Sequence, residues 1–317
     1  MVAITFPGQG SQRSGMGKEL FEASSAAARI FERVSESTGR DMAKLCFESD
    51  EDQLRLTQNT QIALYTCSVA AWAALLERID ARAISFFAGH SVGEYAAVVA
   101  SGALSVEDGA RLVQRRGDLM AASGAVRTGG MAAVIGMSDA DLATVCEESS
   151  NDTEVVVIAN QNSPGQLVIS GDLDAVSRAS ALASERGAKR VLPLNVSGAF
   201  HSPLMEESAA ALAETFKTVS LQPMRTPVVC NVTAAPNSDS SQWPDLLTRQ
   251  LKSQVLWQRS VERMVSEGVS LFVECGSGEV LTSLLKRISR DSDGAVVVDG
   301  ATRDAAAESI SSRGVKR

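Results

Sequence analysis

The stretch that most limits how this chain can fold is residues 84–100, Ile84-Ser-Phe-Phe-Ala-Gly-His-Ser-Val-Gly-Glu-Tyr-Ala-Ala-Val-Val-Ala100. The apolar run Ile84 to Ala88 reads as a buried strand, and the small and apolar residues Tyr95 to Ala100 read as the helix after it. Between them lies Gly89-His90-Ser91-Val92-Gly93, a G-x-S-x-G pattern. The chain has to reverse sharply there, and a Cβ at either glycine would meet neighbouring backbone. Such a turn lifts Ser91 Oγ clear of the main chain at a helix N-terminus, where free N–H groups and the helix dipole favour negative charge. That environment suits an attacking alkoxide and a tetrahedral oxyanion. A tight turn with a structural serine is the plainer alternative.

The chain has 317 residues, 44% apolar and 21% charged, enough for one large domain or a large and a small one. Its net charge of −8 argues against nucleic acid or an anionic membrane as partner. The five cysteines, at 46, 67, 146, 230 and 275, are far apart and show no metal-ligand spacing, so buried reduced thiols of a cytoplasmic protein are expected. No apolar stretch is long enough to span a bilayer. Val2-Ala3-Ile4-Thr5-Phe6 has no basic segment before it and reads as a first strand, not a signal peptide.

After that strand, Pro7-Gly8-Gln9-Gly10-Ser11-Gln12 reads as a loop, without the glycine spacing or the following Lys of a nucleotide site. Helical patterns follow at about 17–37 and 61–80, the second almost wholly apolar and so buried. Ser105 with Asp108 makes a capping box. On the helix it opens, Leu112, Val113, Leu119 and Met120 share one face, and Arg116 falls in the middle of it. Ser123–Gly130 reads as a linker. Beyond it the order strand 131–135, helix 139–148, strand 155–159, strand 166–170, helix 173–186, strand 190–194 is the ferredoxin-like βαββαβ pattern. Further elements are expected as a helix at 204–217, a strand at 228–230 and a helix opened by Trp243-Pro244. A strand at 269–274, a helix to Ile288 and a strand at 296–298 follow, with a frayed tail from about 301. The expectation is an α/β chain: a large α/β-hydrolase-like domain with a parallel sheet, residues 1–125 and 198–317, and a small inserted ferredoxin-like domain, residues 126–197.

A serine nucleophile needs a base, and there are only two histidines. His90 precedes Ser91 on the elbow, where its side chain should point away toward the sheet or a neighbouring loop. His201 lies in a Gly-Ala-Phe-His-Ser-Pro turn, where a base can be held by a scaffold, although a lone loop histidine can also be structural. No Asp or Glu stands in a recognisable third position, so the third member is open, and a carbonyl oxygen could orient the base in place of a carboxylate. An unpaired guanidinium in an apolar stripe is costly, so Arg116 calls for an anion, either a structural carboxylate or a substrate's.

At this point the chain resembles the malonyl-CoA:acyl carrier protein transacylases of bacterial type II fatty acid synthesis. The pieces that carry the resemblance are Phe6-Pro-Gly-Gln-Gly-Ser-Gln12, Gly89-His-Ser-Val-Gly-Glu94, Gln114-Arg-Arg-Gly117, Met131-Ala-Ala-Val, Ala159-Asn-Gln-Asn162, Gly198-Ala-Phe-His-Ser-Pro-Leu-Met205, Asn231-Val-Thr and Glu274-Cys-Gly-Ser-Gly278. The resemblance implies an S-malonyltransferase acting on malonyl-CoA and acyl carrier protein, with no cofactor, no metal, no nucleic acid and no membrane, and a monomer is expected. It implies Ser91 as nucleophile and His201 as base. It places the oxyanion on the main-chain N–H groups of Gln9 and Val92, and the malonyl carboxylate on Arg116. Gln250 would orient His201 through its main-chain oxygen. Asn160 and Asn162 would line the cleft, and Phe200 with Val92 fits a malonyl preference. The acidic carrier would be met by basic residues at the mouth, with Lys189, Arg190, Lys286 and Arg287 as candidates. A serine hydrolase shares G-x-S-x-G, but it would normally place an acid between Ser and His and the His near the C-terminus, and it leaves Arg116 without a role. A stand-alone acyltransferase of polyketide synthesis has the same sequence features.

Overall fold

The structure is a computed structural model and describes residues 1–196 and 198–314. Its ten strands are β1 Val2–Phe6, β2 Ile84–Gly89, β3 Gly129–Ile135, β4 Val156–Ser163, β5 Gln166–Asp172, β6 Arg190–Pro193, β7 Val228–Val229, β8 Pro236–Asn237, β9 Leu271–Cys275 and β10 Asp293–Val297. Six of them form a mixed sheet in the order β10-β9-β1-β2-β7-β8, parallel throughout except for the β7/β8 pair. Every residue of β1 and β9 is buried. A strand covered on both faces needs a nearly unbroken apolar run, and VAITF supplies one. The protein is thus α/β, with β1 and β2 carrying two loops, 7–12 and 90–92, to the same edge of the sheet.

Helix Thr57–Leu76 packs against this sheet and buries residues on every side, as its apolar composition requires. It starts four residues before the expected point and stops at Glu77, whose carboxylate accepts from Ser24 Oγ at 2.9 Å and Ala26 N at 3.1 Å. Ser24 also breaks the expected helix 17–37 into Lys18–Ala23 and Ser25–Thr38, because its extended backbone (φ −143°) lets Oγ accept from Ala27 N as an N-cap. Helix Val106–Val126 begins at the Ser105 cap and buries Leu112, Val113, Arg116 and Met120. It runs through the first half of the expected 123–130 linker and β3 takes the last two residues, so only Arg127 and Thr128 join helix to strand. Arg127 grips Asp172 at 2.5 and 2.8 Å and fixes that short connection.

β3 to β6 form a second, wholly antiparallel sheet in the order β4-β5-β3-β6, with helices Asp139–Ser149 and Leu173–Glu185 packed on it around a core of their own. This sheet is joined to the rest by main-chain pairing. Gln161 N donates to Val255 O at 2.9 Å, and Val255 N donates to Ala159 O at 2.8 Å.

Three helices, Met42–Glu48, Glu51–Arg55 and Trp257–Ser266, occur where the sequence reading places none. The first two are short and rest on Asp41 and Asp50 caps. The third buries Trp257, Ser260, Val261 and Met264, an i, i+3, i+4, i+7 stripe. The expected frayed tail is instead a helix, Gly300–Gly314. Asp299 and Thr302 cap it, with Thr302 N donating to Asp299 Oδ1 at 2.7 Å, and Arg303, Ala306, Ala307 and Ile310 are buried. All five cysteines are buried free thiols. Among the described residues no helix is long and apolar enough to cross a membrane.

Candidate active site

The end of β2 builds the site. A Cβ on Gly89 would stand 2.0 Å from the Gly93 carbonyl carbon, and one on Gly93 would stand 2.2 Å from Phe6 O, so both positions admit only glycine. Between them Ser91 takes φ 52°, the left-handed region a non-glycine residue adopts only under constraint. The constraint comes from two distant side chains. Asn231 Oδ1 accepts from Ser91 N at 2.9 Å while its Nδ2 donates to Gly89 O at 2.7 Å. Gln250 Nε2 donates to Ser91 O at 2.8 Å.

His201 is also left-handed, at φ 58°, and its N–H donates to Leu251 O at 3.1 Å. Its ring lies between Ser91 Oγ, 2.8 Å from Nε2, and the main-chain oxygen of Gln250, 2.7 Å from Nδ1. A carbonyl oxygen only accepts, so Nδ1 carries the proton and Nε2 presents its lone pair to the serine hydroxyl. Burial, reinforced by the nearby Arg116 charge, pushes the imidazole down to about 3, so it is neutral at physiological pH. His90 turns the other way: its Nε2 lies 2.8 Å from Asn162 Oδ1 on β4, and its ring centroid is 5.7 Å from that of Trp257. The elbow therefore meets the second sheet through His90.

Arg116 is fully buried. Its Nη2 donates to Ser91 Oγ and to Gln250 Oε1, both at 3.0 Å, and its Nη1 donates to Gln61 Oε1. The guanidinium carbon lies 5.7 Å from the Tyr95 ring centroid, and Nε has no partner. Among the described residues no carboxylate forms a salt bridge with it. The anion that its position calls for is thus not supplied in that way by the protein. Burial pushes its pKa down, but a guanidinium starts high enough to stay charged.

A cavity of about 250 Å³ opens beside these groups. Gln9, Ser91, Asn160, Asn162, Phe200 and His201 line it, among others. Val92 is buried beneath the turn as the first residue before helix Gly93–Ala100. Among the described residues the main-chain N–H groups of Gln9 and Val92 donate to no protein acceptor, which leaves two donors unused on the loops that flank Ser91. Lys189, Arg190, Lys286 and Arg287 are exposed, and Arg287 Nη1 donates to Gln166 Oε1 at 3.2 Å at the edge of the cavity. Sequence reasoning did not single out Glu94, Asn231 and Gln61, which hold the site from behind. For Glu94 a signal was present: an acid inside an apolar helix, the same anomaly that exposes Arg116.

A hydroxyl hydrogen-bonded to a neutral imidazole, beside a buried cation and two free N–H groups, can perform acyl transfer through a serine ester. The comparisons with known proteins agree with that chemistry. Residues 4–311 match the family model described as acyl transferase domain. The malonyl CoA-acyl carrier protein transacylase of Bacillus subtilis (strain 168) is 40% identical over 311 residues, covering 98% of this chain and 97% of the relative. The crystal structure of an acyl-carrier-protein S-malonyltransferase from Bartonella henselae superposes with a TM-score of 0.94 at 39% identity, covering 98% and 99% of the two chains. A type II PKS acyl-carrier protein in complex with its malonyl-transacylase contains a chain that matches with a TM-score of 0.92 at 37% identity, covering 97% and 99%. The chain belongs to the acyl transferase domain family, among the malonyl CoA-acyl carrier protein transacylases.

Proposed function

We propose that this protein moves a malonyl group from coenzyme A to the phosphopantetheine thiol of an acyl carrier protein in fatty acid biosynthesis, through an ester on Ser91. The observation that carries the reading is the 2.8 Å contact between Ser91 Oγ and a neutral His201 Nε2, beside a buried guanidinium with no carboxylate salt bridge among the described residues. Ser91 Oγ attacks the thioester carbonyl as its proton passes to His201 Nε2. The tetrahedral oxyanion rests on the N–H groups of Gln9 and Val92. Collapse of the intermediate expels the coenzyme A thiol, which takes the proton from His201. The carrier thiol then gives His201 its proton and attacks the ester, and Ser91 leaves with that proton returned from His201, which restores the hydroxyl and the neutral imidazole. Gln250 O holds the imidazole tautomer in both halves, the role a carboxylate plays in a triad. Arg116 pairs with the malonyl carboxylate, while Asn160, Asn162 and Phe200 shape the space around the acyl group. The basic residues Lys189, Arg190, Lys286 and Arg287 suit an acidic carrier. A carrier of polyketide synthesis is the second reading, favoured by the likeness to a transacylase bound to a type II PKS carrier.

We also read residues 126–197 as an inserted ferredoxin-like domain, supported by the strand order β4-β5-β3-β6 and two helices on one sheet. Residues 1–125 and 198–317 would form the α/β-hydrolase-like remainder, supported by a largely parallel sheet with the nucleophile just past a strand end; residues 197 and 315–317 of these ranges lie outside the described residues.

The test is intact mass after mixing with malonyl-CoA. The expected result is one added malonyl group on the wild type and none on Ser91→Ala, with the variant's thermal melt unchanged. A modified Ser91→Ala would remove Ser91 as the acceptor.

A further inference from the structure

Glu94 is fully buried, three residues past the nucleophile, and takes part in none of the steps above. It does not cap its own helix: its bonds go to segments 137 and 156 residues away. Oε1 accepts from Asn231 N at 2.6 Å and Oε2 accepts from Gln250 Nε2 at 2.7 Å. Those partners hold the rest of the site. Asn231 grips the peptide groups at Ser91 N and Gly89 O, and Gln250 grips Ser91 O. Gln250 also fixes His201 through its main-chain oxygen and Arg116 through Oε1. We propose that Glu94 is the positioning residue of this site, holding the strained Ser91 turn through Asn231 and Gln250, and His201 and Arg116 through Gln250 alone.

The chemistry favours a carboxylate in that place. Both of its prongs face N–H groups, and of the common side chains only an ionised carboxylate accepts on both. Together with Ser91 O it sets the direction of the Gln250 amide: with Nε2 turned to these two acceptors, Oε1 must face the guanidinium. A flipped amide would set its NH₂ against Arg116, donor against donor. Burial pushes the Glu94 carboxyl up to about 7, offset in part by these two bonds and by the Arg116 charge. A group so costly to bury without a direct ion pair is one whose geometry matters.

The inference deepens the proposed function and rests on it for the roles of His201 and Arg116. Its test therefore uses a probe that does not. A neutral alkyl fluorophosphonate reacts at an activated serine and carries no carboxylate for Arg116. Glu94→Gln leaves one N–H without an acceptor. It is expected to slow both malonyl ester formation and phosphonylation of Ser91 by about 30-fold or more, since positioning acts on the reacting geometry. Glu94→Asp, which keeps two acceptors, should recover part of both rates. Rates of Glu94→Gln within about threefold of wild type would overturn the inference, as would a slow population explained wholly by fewer titratable sites at a normal rate per site. Should Glu94→Gln not fold, a folded Glu94→Asp with wild-type phosphonylation overturns it, and one with slowed phosphonylation supports it. A wild type that reacts with the phosphonate but takes no malonyl group would sink the transfer reading alone, leaving Glu94 to be decided by the phosphonate rates.

Discussion

A guanidinium sealed inside an apolar helix face must find acceptors, and Arg116 finds three neutral ones: Gln61, Gln250 and Ser91 itself. None carries a formal charge, so in the proposed reaction the malonyl carboxylate would supply the anion. Two charge-assisted bonds, each worth about 1.5–3 kcal/mol, imply that Arg116→Ala lowers kcat/KM for malonyl-CoA by about a hundredfold or more. Acetyl-CoA lacks the carboxylate, so its kcat/KM should fall less, and the acetyl-to-malonyl ratio should rise. Arg116→Lys should restore only part, because an ammonium cannot offer the planar fork. Equal losses with both thioesters would mark Arg116 as a prop for Ser91 Oγ alone. His201 yields a prediction about stability. Its folded pKa of about 3 lies below the ordinary value of about 6.5, so below pH 6.5 the unfolded chain takes up a proton that the fold refuses. The stability this group contributes is complete above pH 6.5 and drains away as pH falls toward 3. Between pH 7 and pH 5 the wild type should lose about 2 kcal/mol more than His201→Gln in urea unfolding. Parallel losses would mean that His201 is not held neutral.

Elements were legible where the local pattern and the tertiary environment agree. The elbow could be read because its two glycines are dictated by backbone within the turn and the neighbouring strand. The Val106–Val126 helix could be read from Ser105 and from an apolar face complete enough for Arg116 to stand out in it. The tail could not, because Ala-, Ser- and Arg-rich composition looks the same in a frayed end and in a helix that buries one thin stripe. Arg303 shows the difference: its guanidinium is drawn inward by Glu77 on a helix 226 residues earlier, a pairing no local window contains. Ile310, buried in that stripe, gives a direct check. Ile310→Ala should cost about 2–4 kcal/mol of unfolding free energy by the usual large-to-small penalty. A change below about 0.5 kcal/mol, the level of an ordinary surface substitution, would mean that the helix is not docked in solution.

At the scale of the whole molecule, the site is made where far segments converge. Ser91 and Arg116 announce themselves locally, and His201 emerges because the chain has only one other histidine. Gln250 entered through family resemblance. Glu94 stands out only as an acid in an apolar helix, and Asn231 carries no local sign at all, since the meaning of both depends on which backbone atoms arrive beside them. The same holds for the wall of the cavity. Asn160 and Asn162 stand on β4, and β4 is joined to the 255 segment by main-chain hydrogen bonds at Ala159 and Gln161. Backbone pairing does not depend on which side chains hang from it. Phe200, Met120, Met131 and Val168 also line the cavity and pack in the core that the two sheets share, so the main-chain bonds fix where β4 meets the 255 segment while these side chains fill the space beside it. On the proposed function, one substitution at a lining position would reshape the room for the acyl group while the main-chain join at Ala159 and Gln161 stays as it is.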